Sequence, residues 1–549
     1  MRLTGYRLLP LSVTALLLAA CSHSNVVSKP VVEATAVVTA PSAPSMPSPV
    51  MMGASRDKMM VESKGGYYPM PPIMPTWNEN RENYQDKQAN PIHQTAKDAI
   101  ATFSIDTDTG SYANVRRMLN NGQLPPTDAV RTEELINYFN YNFNQARKLG
   151  NAPFLVDTET VVSPWQPTNR IIKVAIKAED SLVKANQALP PANLVFLVDV
   201  SGSMSDKDKL PLAKSALKML TQQLRPQDTI SIVTYSGSTQ VALPATAGSE
   251  KGKILAAIEQ LSAGGSTNGE GAIRLAYQQA HASFKKTGIN RILMMTDGDF
   301  NVGLSSVDDI LDVIRRERDA GVSLSTFGFG TGNLNDYMME QVADNGNGNY
   351  SYIDSLSEAK KALVDEMSAT FNTVAKDVKV QVEFNPSTVK EWRLIGYENR
   401  VLRTEDFNND KVDAGELGAG KSVVALFEVT PVGQQGVYDD SRYQPTKVVA
   451  TGTNNELGYL KIRYKPVNSD NSTLVSLPIS NQVTRPSTEL NFALGVAGFA
   501  ERLQNSQYIG NWQFADSKKL AQANLGDDPQ GIRHEFVKLV DLAMTLSAK

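Results

Sequence analysis

Five consecutive apolar residues, Leu194-Val-Phe-Leu-Val198, run without a polar position between them, the pattern of a strand covered on both faces inside a parallel sheet. Arg291-Ile-Leu-Met-Met-Thr296 predicts a second buried strand, and 229–235, 322–329 and 350–353 predict three more. Between them the apolar positions change to helical spacing. Leu210, Ala213, Leu217 and Leu220 recur at three and four residues, 269–284 reads as a helix, and Ser306-Val-Asp-Asp309 is a capping signature before Ile310, Val313 and Ile314. Strands alternating with helices predict an α/β unit with a doubly wound, mostly parallel sheet over 191–375.

On both sides of this unit the period falls to two. Phe154, Val156, Ile171, Ile172, Val174 and Ile176 alternate within 151–190; 378–384, 422–429 and 460–464 do so within 376–485. The order predicts that the α/β unit is inserted into a β-sandwich, each flank supplying strands. Helical modules are expected at 96–150, with helices over 111–120 and 129–143, and at 486–549, where Leu490, Leu494, Val496, Phe499, Phe536, Leu539 and Val540 keep helical spacing. The last helix of the α/β unit is expected over 356–373.

Arg2 and Arg7 precede a mostly apolar run from Leu8 to Leu18 and then small residues, so 1–20 reads as a secretory signal peptide. Leu18-Ala19-Ala20-Cys21 resembles the bacterial lipobox, which implies cleavage before Cys21 and its acylation with palmitate-type chains. Cys21 is the chain's single cysteine, so no internal disulfide can form, and lipid attachment is the use its context favours. Ser22, rather than an aspartate, follows it, which by the rule for such lipoproteins points to the outer membrane of the cell envelope. Residues 21–95, rich in Pro, Ala, Ser, Val and Met, read as a disordered tether. Met51-Met52 and Met59-Met60 are soft enough for Cu(I), but no histidine cluster accompanies them.

The candidate chemistry follows the first buried strand. Asp199-Val-Ser201-Gly-Ser203 places three oxygen-bearing side chains two residues apart on one loop; Gly264-Gly-Ser-Thr267-Asn268 precedes a helix; and the second buried strand ends in Asp297. Oxygen ligands without histidine or thiolate favour Mg²⁺, Ca²⁺ or Mn²⁺. Asp199-x-Ser201-x-Ser203, Thr267 and Asp297 together resemble the metal-ion-dependent adhesion site of von Willebrand factor type A (VWA) domains. That resemblance implies a VWA fold over roughly 190–370. It also implies that Ser201, Ser203 and Thr267 touch the metal, that Asp199 and Asp297 anchor them mostly through water, and that a partner protein's Asp or Glu completes the shell. The stretches at 96–150 and 486–549 are similar to those accompanying VWA domains in one group of bacterial lipoproteins.

Other motifs compete less well. Asp106-Thr-Asp108-Thr-Gly110 imitates a phosphatase or calcium loop, but Arg117 stands where calcium needs glutamate, and capping of the helix over 111–120 is the expected role. Asp406-x-Asn408-x-Asp410 begins like a calcium loop, with Lys411 and Leu417 against it. Gly328-Phe-Gly330-Thr-Gly332 departs from the dinucleotide fingerprint at Asn333 and reads as a glycine-rich turn beside the metal rim. The four histidines are scattered, and neither a G-x-S-x-G elbow nor an HExxH helix is present, so a non-enzymatic binding protein is expected. A structural protein with a fold-stabilising metal and a metal-dependent hydrolase are the alternatives. A net charge of −4 carries no basic surplus for nucleic acid.

Overall fold

The computed structural model describes residues 81–143, 145–179, 190–266, 269–298, 307–366, 369, 372–439 and 455–548, all within one compact unit, Thr76–Lys549. Its VWA-like part is a six-stranded sheet with the spatial order Tyr350–Ile353, Ser323–Phe329, Ile289–Thr296, Ala192–Asp199, Thr229–Tyr235, Thr239–Ala247. The first five strands are parallel and the last is an antiparallel edge. Helices cover both faces. Phe196 and Val198 share a core with Leu210, Leu217 and Leu220 on one side, while Val195 and Leu197 share another with Ile273, Tyr277, Ile310 and Ile314. Burial on both faces is why the central strand carries no polar alternation.

Two antiparallel sheets flank this unit. One has the order His93–Gln94, Val389–Ile395, Ser422–Pro431, Arg170–Ala178, Phe154–Val162, Arg147–Lys148. The other has Gly415–Gly418, Thr373–Phe384, Glu456–Pro466 and Thr473–Ser480, with Ile100–Ser104 also paired to Thr373–Phe384. Phe154, Ile172 and Val174 of the first share one core with Val380, Val382, Leu460 and Ile462 of the second. Val174 lies opposite Ala425, so a strand preceding the α/β unit pairs with one that follows it. The insertion is thereby closed by backbone hydrogen bonds.

Several elements differ from expectation. The helix foreseen over 129–143 is the short Thr132–Asn137, because Tyr138, Phe139 and Tyr141 leave it to enter an aromatic core with Phe492 and Phe536. That same core holds Thr488–Leu503 and Ile532–Ser547, so the two helical modules form one body. The helix foreseen over 356–373 is α-helical for Leu356–Lys360, then forms a π turn, Lys361–Asp365; by Thr373 the chain is a sandwich strand. Order also begins before residue 95. Glu82 accepts from the Arg117 guanidinium at 2.9 Å, and His93 lies opposite Trp392 with their rings stacked 4.3 Å apart, so side-chain contacts fix a segment whose composition suggests none. Among the described residues no helix is long and apolar enough to cross a membrane.

Candidate metal centre

Asp199 and Asp297 stand at the carboxyl ends of adjacent parallel strands, which are in register up to Val198 opposite Met295. This is where open α/β sheets place ligands. Both side chains are fully buried. Asp199 turns its own loop: its Oδ1 accepts the Ser201 N–H at 2.9 Å, and its Oδ2 accepts the Thr296 hydroxyl at 3.0 Å. Burial pushes the Asp199 carboxyl up to about 6; the Ser201 donors pull it down, and the neighbouring Asp297 charge pushes it up again. The turn brings the Ser201 and Ser203 hydroxyls to 3.0 Å from each other, with Ser201 buried and Ser203 half-buried.

The third loop reaches the same place. Gly202 donates its N–H to the Gly265 carbonyl at 2.9 Å, and Gly264 donates to the Val200 carbonyl at 2.8 Å. The segment leading to Thr267 is therefore laced to the serine loop. Thr267 and Asn268 themselves lie outside the described residues, as do Cys21, the signal segment, the methionine pairs and the rest of the chain up to residue 80.

Of the five expected metal-site residues, the structure thus brings Asp199, Ser201, Ser203 and Asp297 to one end of the sheet. Among the described residues no cluster of three or more His, Cys, Asp or Glu could hold a metal. Any cation here must rely on hydroxyl oxygens, with carboxylates behind them. Two convergent hydroxyls and a half-buried opening fit a hard dication that retains water, such as Mg²⁺.

Two residues of this centre had no separate sequence signal. Thr296 orients Asp199 and also accepts the Gly298 N–H at 3.1 Å. Lys209 is 4% exposed, and its ammonium donates to Asp297 Oδ2 at 2.9 Å and to Asn333 Oδ1 at 2.8 Å. The glycine-rich turn makes room for it. Gly330 has φ +73°, and a Cβ there would run into the aliphatic stem of Lys209. The Gly330 carbonyl also accepts the Tyr352 hydroxyl at 2.5 Å, so the turn serves packing.

The other acidic motifs are occupied by the protein's own cations. Asp106 and Asp108 do not cap the helix Gly110–Asn120; they pair with Arg400 at 3.2 and 3.1 Å, and Asp108 also accepts the Tyr350 N–H. Glu134 accepts the Ser111 N–H in that helix's first turn. In the loop at 406–410, Asp406 pairs with Arg403, Lys379 donates to the Asp406 and Asn409 carbonyls, and Lys465 donates to the Asp410 carbonyl. The Asp406 carboxylate and the carbonyls of this loop are thus taken by the protein's own cations.

The sheet and its loops define a VWA domain, and residues 193–366 match the family described as von Willebrand factor type A domain. Residues 78–173 match the family described as von Willebrand factor, and 369–546 match the one described as "Uncharacterized protein YfbK, C-terminal". The chain is 48% identical over 472 residues to the Escherichia coli K12 protein named "Uncharacterized protein YfbK", covering 85% of this chain and 82% of that one. It is 26% identical over 343 residues to "Uncharacterized protein sll0103" of Synechocystis, covering 61% and 76%. It is also 27% identical over 267 residues to inter-alpha-trypsin inhibitor heavy chain H3 of Pongo abelii, covering 45% of this chain and 30% of that one. The chain belongs to the YfbK family of VWA domain-containing bacterial proteins.

Proposed function

We propose that this protein binds a divalent cation, Mg²⁺ or alternatively Ca²⁺ or Mn²⁺, and through it an Asp or Glu side chain of a protein partner, as a non-enzymatic component of the cell envelope. Ser201, Ser203 and Thr267 would hold the ion, backed by Asp199 and Asp297. The ion supplies a positive centre with exchangeable positions. The observation that carries the reading is the pair of hydroxyls 3.0 Å apart, Ser203 only half-buried, in front of the buried Asp199. Neutral ligands leave a dication under-neutralised, which favours capture of a carboxylate.

Binding is favoured over hydrolysis because, among the described residues, the histidines pair away from the centre and its carboxylates are already engaged. His93 pairs with Asp98, His281 with Glu317 and His534 with Asp528. Asp297 is engaged by Lys209. Acylation at Cys21 would anchor the chain to the outer membrane, with the segment after it as a tether.

The test is calorimetric titration of the full chain with Mg²⁺, wild type beside Asp199→Ala, together with capture of partners from envelope extract with and without EDTA. Saturable Mg²⁺ binding lost in the variant, and a partner whose capture fails with EDTA or after its acidic residue is neutralised, support the reading. Absence of Mg²⁺ binding, or capture indifferent to metal, would overturn it.

A further inference from the structure

From the placement of Lys209 we infer that this lysine sets the charge of the cation site and so selects for an anionic partner group. The inference rests on the cation reading above. Asp199 and Asp297 bring two negative charges to the end of the sheet, both fully buried. Lys209 cancels one of them in place. Its ammonium is 2.9 Å from Asp297 Oδ2, Asn333 fixes it from the other side, and its buried stem fills the space that Gly330 leaves open.

The position is not an accident of a long flexible side chain. Lys209 immediately precedes the helix Leu210–Gln223, and its backbone N–H donates to the Asp206 carbonyl at 3.0 Å, so the loop that carries Ser201 and Ser203 also delivers the ammonium. With one carboxylate neutralised, a bound dication leaves the centre with one net positive charge. A single carboxylate from a partner brings it to neutrality in a poorly solvated place. Without the lysine, the dication alone would neutralise the two aspartates. The ion would then bind more tightly while the incoming carboxylate lost its attraction.

Lys209 is therefore a positioning and specificity residue: it weakens the hold on the metal and strengthens the hold on the ligand. Two variants of the full chain make the centre one charge more negative. Lys209→Met keeps the stem against Gly330 and removes the ammonium; Asn333→Asp keeps the lysine and adds a carboxylate beside it. The probes are Mn²⁺ alone, followed by water-proton relaxation, and acetate added to the Mn²⁺ form, whose entry displaces water and lowers the relaxation. Both variants are expected to bind Mn²⁺ about tenfold more tightly than wild type, and to need about tenfold more acetate for the same effect. If Lys209→Met does not fold, as judged by circular dichroism, Asn333→Asp decides alone. Wild type that binds Mn²⁺, with folded variants showing unchanged Mn²⁺ and acetate affinities, overturns the role of Lys209 and leaves the cation site standing. Wild type that binds no Mn²⁺ overturns both.

Discussion

Thr296 donates its hydroxyl to Asp199 Oδ2 at 3.0 Å, joining the ends of the two strands that carry the candidate site's carboxylates. The bond is buried, since neither Asp199 nor Thr296 exposes any surface. Replacing Thr296 with Val keeps the shape and deletes both the donor to Asp199 and the acceptor of the Gly298 N–H. The variant is expected to lose about 2 kcal/mol of stability, the scale of a hydrogen bond to a buried charged acceptor. The Asp199 carboxyl, already raised by burial, should move further up. Urea denaturation checks the first effect, and Mg²⁺ titration repeated across pH checks the second.

Arg131 ties two parts of the chain together. Its guanidinium pairs with Glu134 of its own helical module and with Asp336 of the VWA helix Asp336–Asn345, and stands 3.6 Å from Glu340 of the same helix. All four side chains are 1% exposed or less. Arg131→Met leaves buried carboxylates without their cation, and a loss of about 3–5 kcal/mol is expected. Thermal unfolding should show it as a large fall in Tm. Arg131→Lys is expected to recover only part, because one ammonium cannot reproduce the guanidinium fork.

Glu416 sets a pH dependence of defined sign. Burial, with help from Asp377 and Asp413, raises its carboxyl to about 8 from an ordinary 4.5. Below about 4.5 the folded and unfolded chains both hold the proton, and the group has no effect on stability. Between there and about 8 the unfolded chain releases it while the folded chain keeps it, so this group lowers stability as pH rises through that window. Glu416→Gln is expected to flatten the decline, being more stable than wild type at pH 8 and little changed at pH 4. Denaturation midpoints across that range are the measurement; equal slopes would contradict the assignment.

Cys21→Ala tests the membrane anchor. The variant is expected to leave the membrane fraction for the soluble fraction, read by fractionation and immunoblot. Its retention on membranes would remove the lipid attachment from the proposed function.

Local pattern accounts for what could be read from the chain alone. The strand over 192–199 is legible because both faces are buried, and Asp199, Ser201 and Ser203 are legible because one short turn brings them together by itself. The insertion into a sandwich was legible as a change of period from two to helical spacing and back. Strand pairings such as Val174 with Ala425 then followed from sheet closure.

Tertiary structure decided the rest, and the reason is sequence distance. Lys209 meets Asp297 across 88 positions and Arg131 meets Asp336 across 205, with nothing in either neighbourhood to mark its partner. The aspartates at 106 and 108 looked like helix caps because capping is the nearest local use of such residues; Arg400 claims them from 294 and 292 positions away. Sequence alone thus determined which oxygens cluster at the end of the sheet. Only the folded chain determined the charge that surrounds them, because a buried ion must find its counter-ion wherever packing places it.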